Sequence, residues 1–131
     1  MSWNSERIRD ALRAGPQREL DVITSVMGDR NAHGLATALN AIIESGGWKV
    51  KEGAAQAVFS KPVDGVVIVV ASRPPPDAAN ELFRALKMGG IIATGRLVRG
   101  QKPGRVSLWI GSRPGGDSLR GHRVWAKRAD E

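Results

Sequence analysis

GVVIVVAS, residues 65–72, is followed at once by RPPPD and then by a helical pattern. The run Val66 to Ala71 is apolar without alternation, so neither face of a strand made from it can stand in water. A run this short, rich in β-branched residues and closed by Gly and Pro, reads as a central strand covered on both sides. Pro74 to Pro76 forbid its extension, and Asp77 is placed to cap a following helix whose buried face is Leu82, Phe83 and Leu86.

Upstream, Ser5 can cap a helix over residues 5–14 that stops at Gly15 and Pro16. Ile8 and Leu12 give that helix one narrow apolar stripe, which must dock on the body or fray. LDVITSVM, residues 20–27, alternates poorly but is rich in β-branched residues and reads as a strand. After Gly28 and Asp29, the positions Leu35, Leu39, Ile42 and Ile43 recur at helical spacing until Gly46 and Gly47. WKVKE, residues 48–52, reads as a short strand, with AVF at 57–59 a strand fragment in the connection that follows.

Downstream, Gly89 and Gly90 end the second long helix. IIATGRLV (91–98), RGQKPG and RVSLWIG (105–111) read as a β-hairpin. Val106, Leu108 and Ile110 share one face of its last strand, while Ser107 and Trp109 share the other. The expected domain spans residues 1–114, with a basic tail over 115–131. Helix, Gly-Gly, strand, connection, strand occurs twice at an offset of about 40 residues, each copy ending in SRPxxD. Duplication of a supersecondary unit and convergence on strand-exit chemistry both account for it. The expected architecture is a single α/β domain, bordering on α+β. It has a mixed, mostly parallel sheet of about five strands, and its helix crossovers join parallel neighbours. A ferredoxin-like βαββαβ order is the alternative.

The segments VMGDRNAHGLATALNAIIESGGWKV, GVVIVVASRPPPDAANELFRAL and VSLWIGSRP together resemble the soluble C-terminal α/β domain of uncharacterised bacterial proteins, over roughly residues 5–114. In those relatives two membrane helices usually precede the domain, and residues 1–131 are not expected to include them. The resemblance implies a fold and a bacterial origin, and no chemistry.

Composition narrows the functional classes. The 131 residues include no Cys and only His33 and His122, which removes disulfides and thiolate metal sites and leaves little for a zinc site or a histidine triad. No cofactor or metal is expected. The charged N-terminus is unlike a signal peptide, and no stretch approaches the ~20 apolar residues of a membrane span, so a cytoplasmic location is expected. The net charge of +7 falls entirely in residues 61–131.

Three readings of function follow. The first is a non-enzymatic binding or interaction module with a protein or a second copy as partner. An anionic ligand would sit where strands exit into helix N-termini, at Asp29, Arg30, Asn31, Ser72, Arg73 and Asp77. Helix capping explains the same residues without a ligand. The second is nucleic-acid binding by a basic hairpin, Arg96, Arg99, Lys102 and Arg105, with Arg120, Arg123, Lys127 and Arg128 of the tail. Charge that protects an exposed edge strand explains the hairpin residues equally. The third is a small enzyme whose strand-exit carboxylates Asp29, Asp77 and Asp117 converge on one edge. Trp48 and Phe59 read as core, and Trp3 and Trp125 as a packed pair or a dimer contact.

Overall fold

The computed structural model describes residues 3–112, and within them the chain forms three helices and one five-stranded sheet. The elements in order are α1 (Ser5–Ala14), β1 (Glu19–Val26), α2 (Arg30–Ser45), β2 (Lys49–Ala57), β3 (Val66–Val70), α3 (Asp77–Met88), β4 (Thr94–Leu97) and β5 (Ser107–Ile110). The strand order is β2-β1-β5-β3-β4. The mixed, mostly parallel α/β sheet expected from the sequence is present, and β3 is buried at every residue.

Two βαβ units supply four of the five strands. β1 pairs in parallel with β2 across α2, and β3 pairs in parallel with β4 across α3. In a ferredoxin-like fold another strand would separate the two members of each unit; here they are hydrogen-bonded directly, which rules out that alternative. β5 lies between the units, parallel to β1 and antiparallel to β3.

The expected 91–98/105–111 hairpin does not form, because β5 enters the middle of the sheet rather than pairing with β4. The side chains explain the choice. Leu108 and Ile110 join the main core and Ser107 is buried on the other face, so β5 needs cover on both sides. TGRL of β4, with Gly95 and Arg96 half-buried, suits an edge.

The helices all serve one face. Ile8 and Leu12 of α1, Leu39 and Ile43 of α2, and Leu82 and Leu86 of α3 pack with Leu20, Ile23, Ile68, Leu108 and Ile110 of the sheet. A smaller cluster covers the reverse side: Val63, Val67 and Val69, against Phe59, Val98 and Trp109. Phe59 and Trp109 meet with ring centroids 4.8 Å apart. Trp48 is core as expected; Trp3 is half-buried against the main core, and Trp125 lies outside the described residues.

The poor alternation of β1 has a structural cause. Leu20 and Ile23, three apart, both enter the main core, and the β1–β2 register slips between Val22 and Thr24. Gly53 and Ala54 supply the additional residue on β2, with Ala54 in a left-handed conformation at φ 58°. With this bulge β2 runs on to Ala57, past the expected end at 52, and Phe59 lies beyond the strand.

Two expected caps move. Asn4, not Ser5, caps α1, its side chain accepting from the Arg7 N–H at 3.1 Å. Asp77 is the first helical residue of α3 and makes no capping hydrogen bond; Pro76 holds the N-cap position. Asp29 does cap α2, accepting from the Ala32 N–H at 2.9 Å.

The two Gly-Gly pairs end their helices alike. Gly47 and Gly90 take φ +95° and +96°, and the next residue donates back into the last turn, Trp48 to Ile43 and Ile91 to Leu86. Their partners Gly46 and Gly89 are buried beneath α1. A Cβ on Gly46 would stand 2.9 Å from the Cβ of Leu12, and one on Gly89 would overlap the Ile8 side chain. α1 thus lies across the ends of both long helices, and its thin apolar stripe suffices because glycine lets it approach closely.

Candidate ligand-binding cavity

The antiparallel relation of β1 and β3 decides the fate of the expected strand-exit site. β1 ends beside Gly65 and Gly111, whereas β3 ends beside the start of β5. Asp29, Arg30 and Asn31 therefore lie at one end of the sheet, and Ser72, Arg73 and Asp77 at the other. They form no common site, and Asp29 and Asp77 do not converge as a catalytic pair; Asp117 falls outside the described residues. Arg30, Ser72, Arg73 and Asp77 are exposed. Asn31 borders a recess of only about 40 Å³ with Leu35 and Ile110, close to the volume of a single water.

The basic residues are dispersed by the same topology. Arg96 lies on the reverse face of the sheet and donates to the Pro62 carbonyl at 3.4 Å. Burial pushes its pKa down, opposed by the charge of Asp64. Arg105 reaches across to β1, with Glu19 and Asp21 each 3.4 Å away. Arg99 and Lys102 are exposed on the long connection that carries the chain past β3. These four do not form a two-stranded ribbon; Arg99, Lys102 and Arg105 share the β3-exit end with the acids Glu19, Asp21, Asp77 and Glu81, while Arg96 turns toward Pro62 and Asp64 ahead of β3. Arg120, Arg123, Lys127 and Arg128 lie outside the described residues.

A larger concavity than the Asn31 recess lies between the C-terminal half of α1 and the outer face of α3. It is a cavity of about 380 Å³, within the range of small-molecule sites. Leu12, Trp48 and Ala85 form its inner wall, each at most 3% exposed; Ala14, Arg84 and Met88 stand at its exposed rim. The space exists because α1 and α3 face each other there through Ala11, Ala14 and Ala85, side chains too short to fill it. Met88 remains 58% exposed beside the opening.

Among the described residues, two charged side chains line this cavity, Glu81 and Arg84. Both oxygens of Glu81 are engaged by Arg18: Nε donates to Oε1 at 3.0 Å and Nη2 to Oε2 at 2.9 Å. This fork holds the Glu81 carboxyl below the usual carboxylate range, against the opposing pull of partial burial. The same hydrogen bonds raise the pKa of Arg18. Arg84 acts on Glu81 through its charge alone and makes no hydrogen bond or salt bridge to a described residue.

Sequence reasoning did not find this site. Its signal was the set of small residues Ala11, Ala14, Gly15 and Ala85, which only the packing of α1 brings together. Among the described residues no group of His, Cys, Asp and Glu could hold a metal ion, and no helix is long and apolar enough to cross a membrane. No known protein family, curated protein or solved structure matches this chain.

Proposed function

We propose that the protein is a non-enzymatic binding module that holds a small amphipathic molecule between α1 and α3. One observation carries this reading: an apolar cavity of about 380 Å³ whose wall includes an arginine without a hydrogen-bonding partner among the described residues. Ligand sites commonly combine such walls with few polar groups. The reading extends to the resemblance noted above, and we take the chain as a bacterial relative of the α/β domains that follow two membrane helices.

The test is a fragment screen on the full 131-residue chain, followed by amide shifts in a two-dimensional NMR spectrum. Charged and neutral fragments of roughly 8 to 20 heavy atoms cover the size range such a cavity accepts. Fragments that shift Ala11, Ala14, Ala85 and Met88 together, and fail to do so once Ala14→Phe fills the space, support the reading. A screen with no fragment at these residues overturns it.

A further inference from the structure

The cavity carries an electrostatic instruction as well as a shape. We infer that its ligand is a small apolar carboxylate whose charged group is held by Arg84, a specificity that rests on the binding function proposed above.

The argument begins with Glu81. An acid on the wall of an apolar cavity would ordinarily repel an anion, since like charges at close range disfavour each other. Here both carboxylate oxygens are taken by the Arg18 fork, at 3.0 and 2.9 Å, and its negative charge is matched. Arg18 does not itself line the cavity. The cation left on the wall is Arg84, one turn of α3 along from Glu81, with its planar set of N–H donors uncommitted to any described residue. A guanidinium matches a carboxylate with two parallel hydrogen bonds, which an ammonium cannot do. The three charges together leave one unit of positive charge at the rim.

The body of the ligand follows from the walls. Ala11, Leu12, Ala14, Trp48, Ala85 and Met88 offer methyl groups, an indole and a thioether, with no other charged side chain among the described residues. An acyl chain or an aromatic ring would be desolvated among them, while the carboxylate stays at the exposed rim beside Arg84. A second negative charge would find no further cation among the described residues of the wall. Dianions and nucleotides are therefore disfavoured relative to monocarboxylates.

The experiment uses isothermal titration calorimetry of the full chain with octanoate and with octanamide, its neutral isostere. Octanoate should bind saturably, with Kd below about 1 mM. Arg84→Gln should weaken octanoate about tenfold and leave octanamide unchanged, while Ala14→Phe should remove both. Arg84 is exposed and Ala14 lies at the end of α1, so both variants should fold; unchanged thermal midpoints verify it. Binding of octanamide as tight as octanoate, or equal octanoate binding by Arg84→Gln, would overturn the carboxylate assignment while the cavity reading stands. Failure of both compounds in a chain whose cavity binds other fragments would also overturn it. Octanoate binding that survives Ala14→Phe would overturn both.

Discussion

The backbone N–H of Asn4 donates to the carbonyl of Gly89 at 2.6 Å, tying the start of α1 to the end of α3. The same glycine gives α1 room to lie flat, because a Cβ there would overlap Ile8 and come within 2.8 Å of the Asn4 oxygen. One residue thus both anchors the helix and admits it. The cavity wall depends on this, since Ala11 and Ala14 are held in place only by the docking of α1.

Gly89→Ala is expected to lower stability by about 1–3 kcal/mol, the usual cost of overpacking a filled site. Hydrogen exchange should rise first along α1, and binding in the cavity should fall with it. Gly34→Ala is the contrast. Gly34 lies within α2, and a Cβ there meets nothing within 4 Å, so this change should stabilise by about 0.5–1 kcal/mol. Urea denaturation of both variants separates the close approach at Gly89 from a general effect of glycine.

The helix caps can be tested against each other. Asp29→Ala removes the hydrogen bond to the Ala32 N–H and should cost about 1 kcal/mol. Asp77 accepts no such bond and contributes only its charge at the start of α3, so Asp77→Ala should cost less, about 0.3–1 kcal/mol and screened by salt. An equal, salt-insensitive loss at Asp77 would contradict the capping geometry.

What the sequence revealed depended on the range of the interaction that each element answers. Val66–Val70 was legible as a fully covered strand, and Asp29 as a cap, because a run of β-branched residues or a side chain three residues from its N–H is a local signal. The Gly-Gly helix ends were legible for the same reason. The insertion of β5 between β1 and β3 was not, since an alternating strand after a basic loop looks the same beside β4 as beside β3. That one long-range choice sends the β1 and β3 exits to opposite ends of the sheet and separates Arg30 from Arg73. The cavity was hidden for a related reason. Alanines at positions 11, 14 and 85 are unremarkable on their own helices and leave a space only where α1 crosses α3.

Acid should unfold the protein partly through Glu81. Its folded pKa lies below the ordinary 4.5 because Arg18 binds the ionised form. A lowered folded pKa contributes stability above the unfolded pKa, and that contribution is lost as pH falls through the folded value. The stability difference between wild type and Glu81→Gln should therefore be flat above about pH 5.5 and shrink progressively below about pH 4.5. Urea midpoints at steps from pH 7 to pH 3 measure it, and parallel curves for the two proteins would refute the Arg18 fork.

The basic residues of the β4–β5 region divide into two kinds, and the division predicts their roles. Arg96 is tucked against the reverse face beside Pro62, and Arg105 is bound by two carboxylates of β1. Arg99 and Lys102 are exposed on the connection. Changing Arg96 and Arg105 together to Ser should lower stability by about 1 kcal/mol, since it strips a partly desolvated contact and leaves Glu19 and Asp21 without their cation. Changing Arg99 and Lys102 to Ser should alter it by no more than about 0.5 kcal/mol. Titration of labelled DNA and RNA at two salt concentrations belongs beside the denaturation curves, because phosphate contacts weaken steeply with salt. The expected result is a stability loss in the first pair and no salt-sensitive binding that either pair abolishes. Salt-sensitive binding lost with Arg99 and Lys102 alone would instead make the exposed connection a polyanion surface, with Arg96 and Arg105 as the struts that hold it.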